Sequence, residues 1–381
     1  MIVLSGARIF DGERFLDDHA LVVEGDRIAA IVPYAERPHG AAWDLAGGLL
    51  APGYIDVQVY GGGGVLFNEE PTPEGIARIA AAHRKYGTVG LLPTLVTDAP
   101  QVMTAAIAAT REARRLTPAT LGIHLEGPFL DPRRRGAHEF KYIRDLASDD
   151  VEEIADADCG TVMLTLAPNR VGAERIAELA RCGVLVSLGH SEASYEEAHA
   201  AIRAGARAFT HLFNAMSPSI GREPGMVGAA LDLADAFVGL IADGHHVHEA
   251  NLRIALAAKR RDRFMLITDA MPPAAGGPDY FDLQGRRVTR TDGCLRLDDG
   301  TLAGSVLTMD EAVRYVVNVV GLDLGAALAM ASRVPATFLR RDGDLGRIVP
   351  GHLASLVHLD DQLRVRETWI EGRPTADGSG H

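Results

Sequence analysis

The chain has 381 residues, too many for one small domain and about right for a large α/β barrel or two ordinary domains. Its 47% hydrophobic, 23% charged and 6% aromatic residues are an ordinary globular composition, which excludes a disordered or collagen-like chain. Lys and Arg total 38 against 51 Asp and Glu, and the net charge of -13 argues against nucleic acid or an anionic membrane surface as partner, so any phosphate needs a local site.

From the N-terminus, MIVLSGARIF, ALVVEGD and RIAAIVP read as short strands separated by the turn signals Asp11-Gly12 and Gly25-Asp26. HLASLVHLD and RVRETWIEG repeat that pattern near the C-terminus, around a polar turn at Asp360 and Asp361. The two ends are expected to pair as one discontinuous β-domain, residues 1–50 with 346–381, around a barrel spanning 51–345.

Between them, short apolar runs alternate with helical patterns, which is the signature of βα units. The expected strands begin at Tyr54, Val89, Thr120, Thr161, Val184, Ala208, Phe237 and Phe264, and eight parallel strands imply a (β/α)8 barrel of the TIM type. Thr72 is placed to cap a helix from Pro73 to Tyr86, and a second amphipathic helix is expected from Glu192 to Gly205. Cys159, Cys182 and Cys294 are scattered, so neither a disulfide framework nor a CxxC metal site is available. No apolar run approaches a membrane span of about 18 residues, and the N-terminus lacks the pattern of a signal peptide. A soluble cytoplasmic protein is the expectation.

In such a barrel, ionisable residues at the C-terminal ends of strands occupy the catalytic face. Glu126 ends the third strand, His190 follows the fifth, His211 ends the sixth, Asp243 follows the seventh and Asp269 ends the eighth. One carboxylate and two imidazoles from Glu126, His190 and His211 would converge with a coordination position left open, the composition of a catalytic zinc-type site. Such a site makes amide hydrolysis feasible at neutral pH, and Asp269 is the candidate to carry the proton. The competing reading of Asp269 is a helix N-cap in Asp-Ala-Met-Pro.

The runs PGYIDVQVYGGGG, HLEGPFL, LGHS, THLFNAM, GREPGMVGAAL, IADGHHV, ITDA and LAGSVLTM occur in this order over nearly the whole barrel. Together they resemble the amidohydrolase superfamily, and within it the N-acetylglucosamine-6-phosphate deacetylases. HLEGPF and THLFNAM are the specific signals. The resemblance implies a metal-dependent hydrolase of the acetamido group of N-acetylglucosamine 6-phosphate, usually a homodimer. It implies one divalent metal ion on Glu126, His190 and His211, with Asp269 as acid/base and His138 bonding the acetyl carbonyl. It further implies that His246 orients the sugar, that the backbone N–H groups of Asn214 and Ala215 hold the phosphate, and that Arg222 reaches the neighbouring subunit's site. Zinc is the expected metal, and iron, manganese or cobalt also suit the donor set.

One departure bears on stoichiometry. Where many superfamily members carry His-x-His for a second metal, this chain has Gln58-Val59-Tyr60, a poor ligand pair. A single metal is therefore expected, with Gln58 retained as a substrate contact and tyrosine able to ligate only if ionised. N-acetylgalactosamine 6-phosphate is the alternative substrate. A non-catalytic scaffold and an amidohydrolase acting on a cyclic amide or an amino acid are the competing classes.

Overall fold

The alternating runs form eight parallel strands: β1 (Tyr54–Val59), β2 (Thr88–Val96), β3 (Gly122–Glu126), β4 (Thr161–Leu166), β5 (Leu185–Leu188), β6 (Ala208–Phe209), β7 (Phe237–Ile241) and β8 (Phe264–Ile267). The structure is a computed structural model and describes residues 1–375. Each strand pairs with its sequence neighbour, as βα units require. The ring closes between the end of β1 and the residues just past β8. Asp269 N–H donates to Gln58 O at 3.0 Å, and Tyr60 N–H donates to Ala270 O at 2.9 Å. This closure brings Gln58, Tyr60 and Asp269 side by side.

The strands are buried because helices cover the barrel outside and side chains fill it inside, so apolar runs outnumber alternating ones. Below the mouth the filling turns polar. His124 Nε2 meets Thr165 Oγ1 at 2.8 Å, and Thr210 Oγ1 lies 2.7 Å from Thr165 Oγ1 and 2.6 Å from Ser187 Oγ. Buried polar groups persist where they bond one another in this way.

The expected helix caps form with shifted ends. Thr72 accepts from Gly75 N and starts Pro73–Arg84, which ends two residues before Tyr86 as the chain turns into Gly87 at φ +88°. Ser194 and Glu197 make a reciprocal capping box, so the second helix is Tyr195–Arg203 and does not start at Glu192. Glu192 instead pairs with Arg134.

Both ends of the chain do meet in one sheet. Leu356–Leu359 pairs antiparallel with Leu49–Pro52, setting His358 opposite Leu50, in a six-stranded sheet that also holds Arg8–Phe10, Phe15–Leu16, Val365–Ile370 and Arg373–Pro374. A four-stranded sheet of Ile2–Ser5, His19–Glu24, Arg27–Pro33 and Ala41–Asp44 packs on it around Leu4, Leu21, Ile28, Leu50 and Trp369. The expected extent of this β-domain to residue 381 runs past the described residues. All three cysteines are free thiols.

A three-stranded meander, β9 (Tyr280–Leu283), β10 (Arg286–Thr291) and β11 (Cys294–Leu297), follows β8. Sequence periodicity did not reveal it. It stands over the barrel mouth, tied down where Arg286 donates to Ala137 O at 2.6 Å and Gln284 donates to Thr97 O at 2.8 Å.

Candidate active site

At the C-terminal face of the barrel lies a cavity of about 370 Å³, lined among others by Glu126, His138, His190, His211, His246 and Asp269. That volume suits a small polar ligand. His190, His211 and Asp269 leave their strands at φ +47°, +30° and +58°, a backbone region costly for residues with a Cβ. Such strain persists only where the surroundings over-determine it, and here it marks the residues grouped at the mouth. Asp269 caps no helix, since the segment after it is a turn.

Glu126 is the hub, and its two oxygens face different partners. Oε1 lies 3.0 Å from His211 Nε2 and 3.3 Å from His190 Nε2, and these two nitrogens are 3.1 Å apart. Oε2 accepts from the Tyr60 hydroxyl at 2.6 Å and lies 3.2 Å from His138 Nε2. The His190 Nδ1–H donates to Arg134 O at 2.8 Å, which leaves Nε2 of the neutral ring as a lone pair. Thus one carboxylate oxygen and two imidazole nitrogens face one another around one point. Ligands about 2.1 Å from a tetrahedral cation lie about 3.4 Å apart, close to the spacing found, so Glu126, His190 and His211 fit a divalent metal. Glu126, His138 and His190 also lie close enough together to hold a cation. What separates His138 from the other two imidazoles is that it meets the opposite carboxylate oxygen.

Electrostatics reinforce the grouping. Burial opposes ionisation of Glu126, but the imidazoles of His190, His138 and His211 beside it hold it well below the ordinary carboxylate range. Burial and the neighbouring His190 push His138 down to about 4. Asp269 is raised by burial and by Glu126, against the pull of His211 and His246.

Three residues that were not among the expected site residues hold these groups in position. Asp243 Oδ2 accepts from His246 Nδ1 at 2.6 Å, and Oδ1 accepts the backbone N–H groups of His245 and His246. Thr97 Oγ1 donates to Glu126 O at 2.9 Å and sits 2.8 Å from His138 Nδ1. Tyr60 sits between Glu126 and Asp269, with its hydroxyl 3.1 Å from Asp269 Oδ1. Burial, with Asp269 and Glu126 close by, holds the phenol well above its ordinary value, so it acts as a neutral donor and not as the ionised ligand considered from sequence. Position at a strand end was a signal for Asp243, and the departure from His-x-His was one for Tyr60, whereas nothing local marks Thr97.

Other expectations fare differently. Gln58 is 1% exposed and lies outside the cavity lining. Its Nε2 reaches Tyr60 Oη at 2.6 Å, Asp269 Oδ1 at 2.7 Å and Glu126 Oε1 at 3.2 Å, so the amide serves the carboxylates where a substrate contact was expected. Asn214 and Ala215 line the cavity, but Asn214 N–H is already donated to His211 O at 3.0 Å. Of these two N–H groups, that of Ala215 has no acceptor among the described residues. Arg222 is exposed, lies outside the cavity lining and forms no ion pair among the described residues. Arg133 and Arg134 line the cavity, paired with Asp131 and Glu192.

Residues 49–375 match the Amidohydrolase family, and residues 1–50 match the NagA composite domain. The chain is 40% identical to an N-acetylgalactosamine-6-phosphate deacetylase of Shewanella sp. strain ANA-3, over 98% of this chain and 95% of that protein. It is 37% identical to the N-acetylglucosamine-6-phosphate deacetylase of Homo sapiens, over 95% and 89% of the two chains. The crystal structure of N-acetylglucosamine-6-phosphate deacetylase from Pasteurella multocida superposes with a TM-score of 0.96 at 36% identity, covering 99% of this chain and 100% of that one.

Proposed function

The chain belongs to the amidohydrolase family, and from that premise we propose that it is a metal-dependent deacetylase, hydrolysing the acetamido group of N-acetylglucosamine 6-phosphate to glucosamine 6-phosphate and acetate. The observation that carries this reading is the convergence of Glu126, His190 and His211 on one point, with Asp269 beside them in the same cavity.

Glu126, His190 and His211 would hold one divalent ion, zinc by preference, with iron, manganese and cobalt compatible with the donors. When bound, such a cation supplies Lewis acidity toward water and toward an amide carbonyl. The remaining steps fall to the chain. Asp269 Oδ1 is held by Gln58 Nε2 at 2.7 Å, while Oδ2 accepts no bond from the described residues. That free oxygen takes the proton from the attacking water and passes it to the departing nitrogen. His138, fixed at Nδ1 by Thr97, is set to face the acetyl carbonyl. His246, fixed by Asp243, orients the sugar.

For the phosphate, the free Ala215 N–H and the Asn214 loop supply one side of the subsite. Arg222 is exposed and lies outside this cavity's lining, which supports its reading as a residue given to the neighbouring site of a homodimer. A planar guanidinium suits a phosphate that the net charge of -13 would otherwise repel. No described helix is long and apolar enough to cross a membrane, in keeping with an enzyme of soluble cytoplasmic sugar phosphates.

A second reading replaces the substrate with its epimer, N-acetylgalactosamine 6-phosphate, and the 40% identity to the Shewanella protein favours it. Acetate release from the two phosphorylated sugars, each against its unphosphorylated form, tests both. Equal rates with and without phosphate would overturn the proposed substrate class.

A further inference from the structure

Tyr60 and Gln58 stand where the superfamily resemblance leads one to expect two imidazoles, and the hydrogen bonds around them can be counted. A phenol has one proton to give, and an ionised carboxylate can only accept. The short contact from Tyr60 Oη to Glu126 Oε2, 2.6 Å, therefore takes the phenol proton. Gln58 Nε2, 2.6 Å from Tyr60 Oη, donates into that hydroxyl, and its other proton goes to Asp269 Oδ1 at 2.7 Å. The chain of donors then runs from one amide to both carboxylates, through one hydroxyl.

The ring of Tyr60 is held independently of its hydroxyl. It is 3% exposed and belongs to an apolar cluster with Leu66, Val96, Met271, Phe281 and Leu295, which joins the barrel mouth to the meander. Ring packing fixes where the hydroxyl sits, and the hydroxyl fixes Oε2 of Glu126. With Oε2 engaged, Oε1 is the oxygen turned to His190 and His211.

We propose that Tyr60 is a positioning residue, which sets Glu126 as a one-oxygen metal ligand and, with Gln58, occupies by hydrogen bonds the place between Glu126 and Asp269 that a second cation would need. This rests on the reading of Glu126, His190 and His211 as the metal ligands. Outer partners that orient a ligating carboxylate change metal affinity by about 10- to 100-fold when removed.

The test is Tyr60→Phe, which keeps the ring and deletes the hydroxyl, made in the full-length protein. Its Zn2+ dissociation constant is measured by competition with a chromophoric chelator, and kcat and KM are measured at saturating Zn2+. The expected result is Zn2+ binding weaker by about 10- to 100-fold, with a lower kcat and KM within about twofold of the parent. Leu295→Ala is the packing control: it trims the same apolar cluster but leaves the hydroxyl, so it should lower the thermal midpoint while moving Zn2+ affinity by less than about threefold. Parent-like Zn2+ affinity in Tyr60→Phe overturns the proposal, and so does an equal loss in Leu295→Ala. A parent that binds Zn2+ but releases no acetate fails the deacetylase reading alone, since the affinity comparison still decides the role of Tyr60. A parent that binds no Zn2+ overturns both.

Discussion

Asp243 Oδ2 lies 2.6 Å from His246 Nδ1, and this contact fixes which face of the imidazole the cavity receives. Burial works against protonation of His246, but the bond and charge of Asp243 raise its pKa above the ordinary value, while Asp243 itself is held low. Asp243→Asn puts an amide donor or a neutral oxygen against Nδ1 and weakens that orientation. A charge-assisted hydrogen bond is worth about 1.5–3 kcal/mol, so KM for the phosphorylated sugar should rise by about one to two decades. Metal content should not change, and steady-state kinetics with metal analysis check both.

Asp269→Asn preserves size and the contact with Gln58 but removes basicity. Turnover should fall by about 10² to 10⁴, the usual contribution of general acid-base catalysis, at unchanged metal content. Near-parent turnover would remove Asp269 from the mechanism.

One tightly bound metal per chain is the expected stoichiometry, because Gln58 and Tyr60 already engage Glu126 and Asp269. A chelator should abolish acetate release, and one equivalent of Zn2+ should restore it. Two ions at full occupancy in the active enzyme would contradict the single-metal reading.

Arg222 tests the subunit arrangement. Arg222→Ala should raise KM for the phosphorylated sugar by about one to two decades, as loss of a charge-assisted phosphate contact requires. Mixing Arg222→Ala chains with Asp269→Asn chains should regenerate activity, because one site per heterodimer combines an intact Asp269 with the partner's intact arginine. With mass analysis confirming heterodimers, no gain over the separate mutants would place the arginine in its own site.

Asp56 offers a pH test remote from substrate. It is buried below the mouth against Thr268 Oγ1 at 2.5 Å, and burial pushes its carboxyl up to about 7. A folded-state pKa above the unfolded one means that the native state keeps a proton the unfolded chain has lost. From about pH 4 to pH 7 this group therefore makes stability fall as pH rises, by up to about 1.4 kcal/mol per unit. Asp56→Asn should flatten that slope in denaturant titrations across this window. An unchanged slope would show that Asp56 is ionised in the native state.

The barrel was legible in the sequence because its signals are local. Each apolar run of a few residues followed by a capped amphipathic segment specifies a strand and a helix, and eight in succession specify the order in which they pair. Glu126, His190, His211 and Asp269 were legible for the same reason, since position at a strand's end is a local property that the barrel turns into convergence. The meander at Tyr280–Leu297 was not, because its strands are short and follow a turn-rich stretch with no clear period. Nor were the roles of Gln58 and Tyr60, separated from Glu126 by more than sixty residues. The same two residues read from sequence as a weakened metal site, whereas in the fold they are donors to Glu126 and Asp269. Ring closure between the ends of β1 and β8 brings those groups within hydrogen-bond distance, and hydrogen bonds depend on tenths of an ångström. Residue type and spacing thus determined which chemistry the chain can carry, while only the closed barrel decided which atom of Glu126 faces the imidazoles and which faces the phenol.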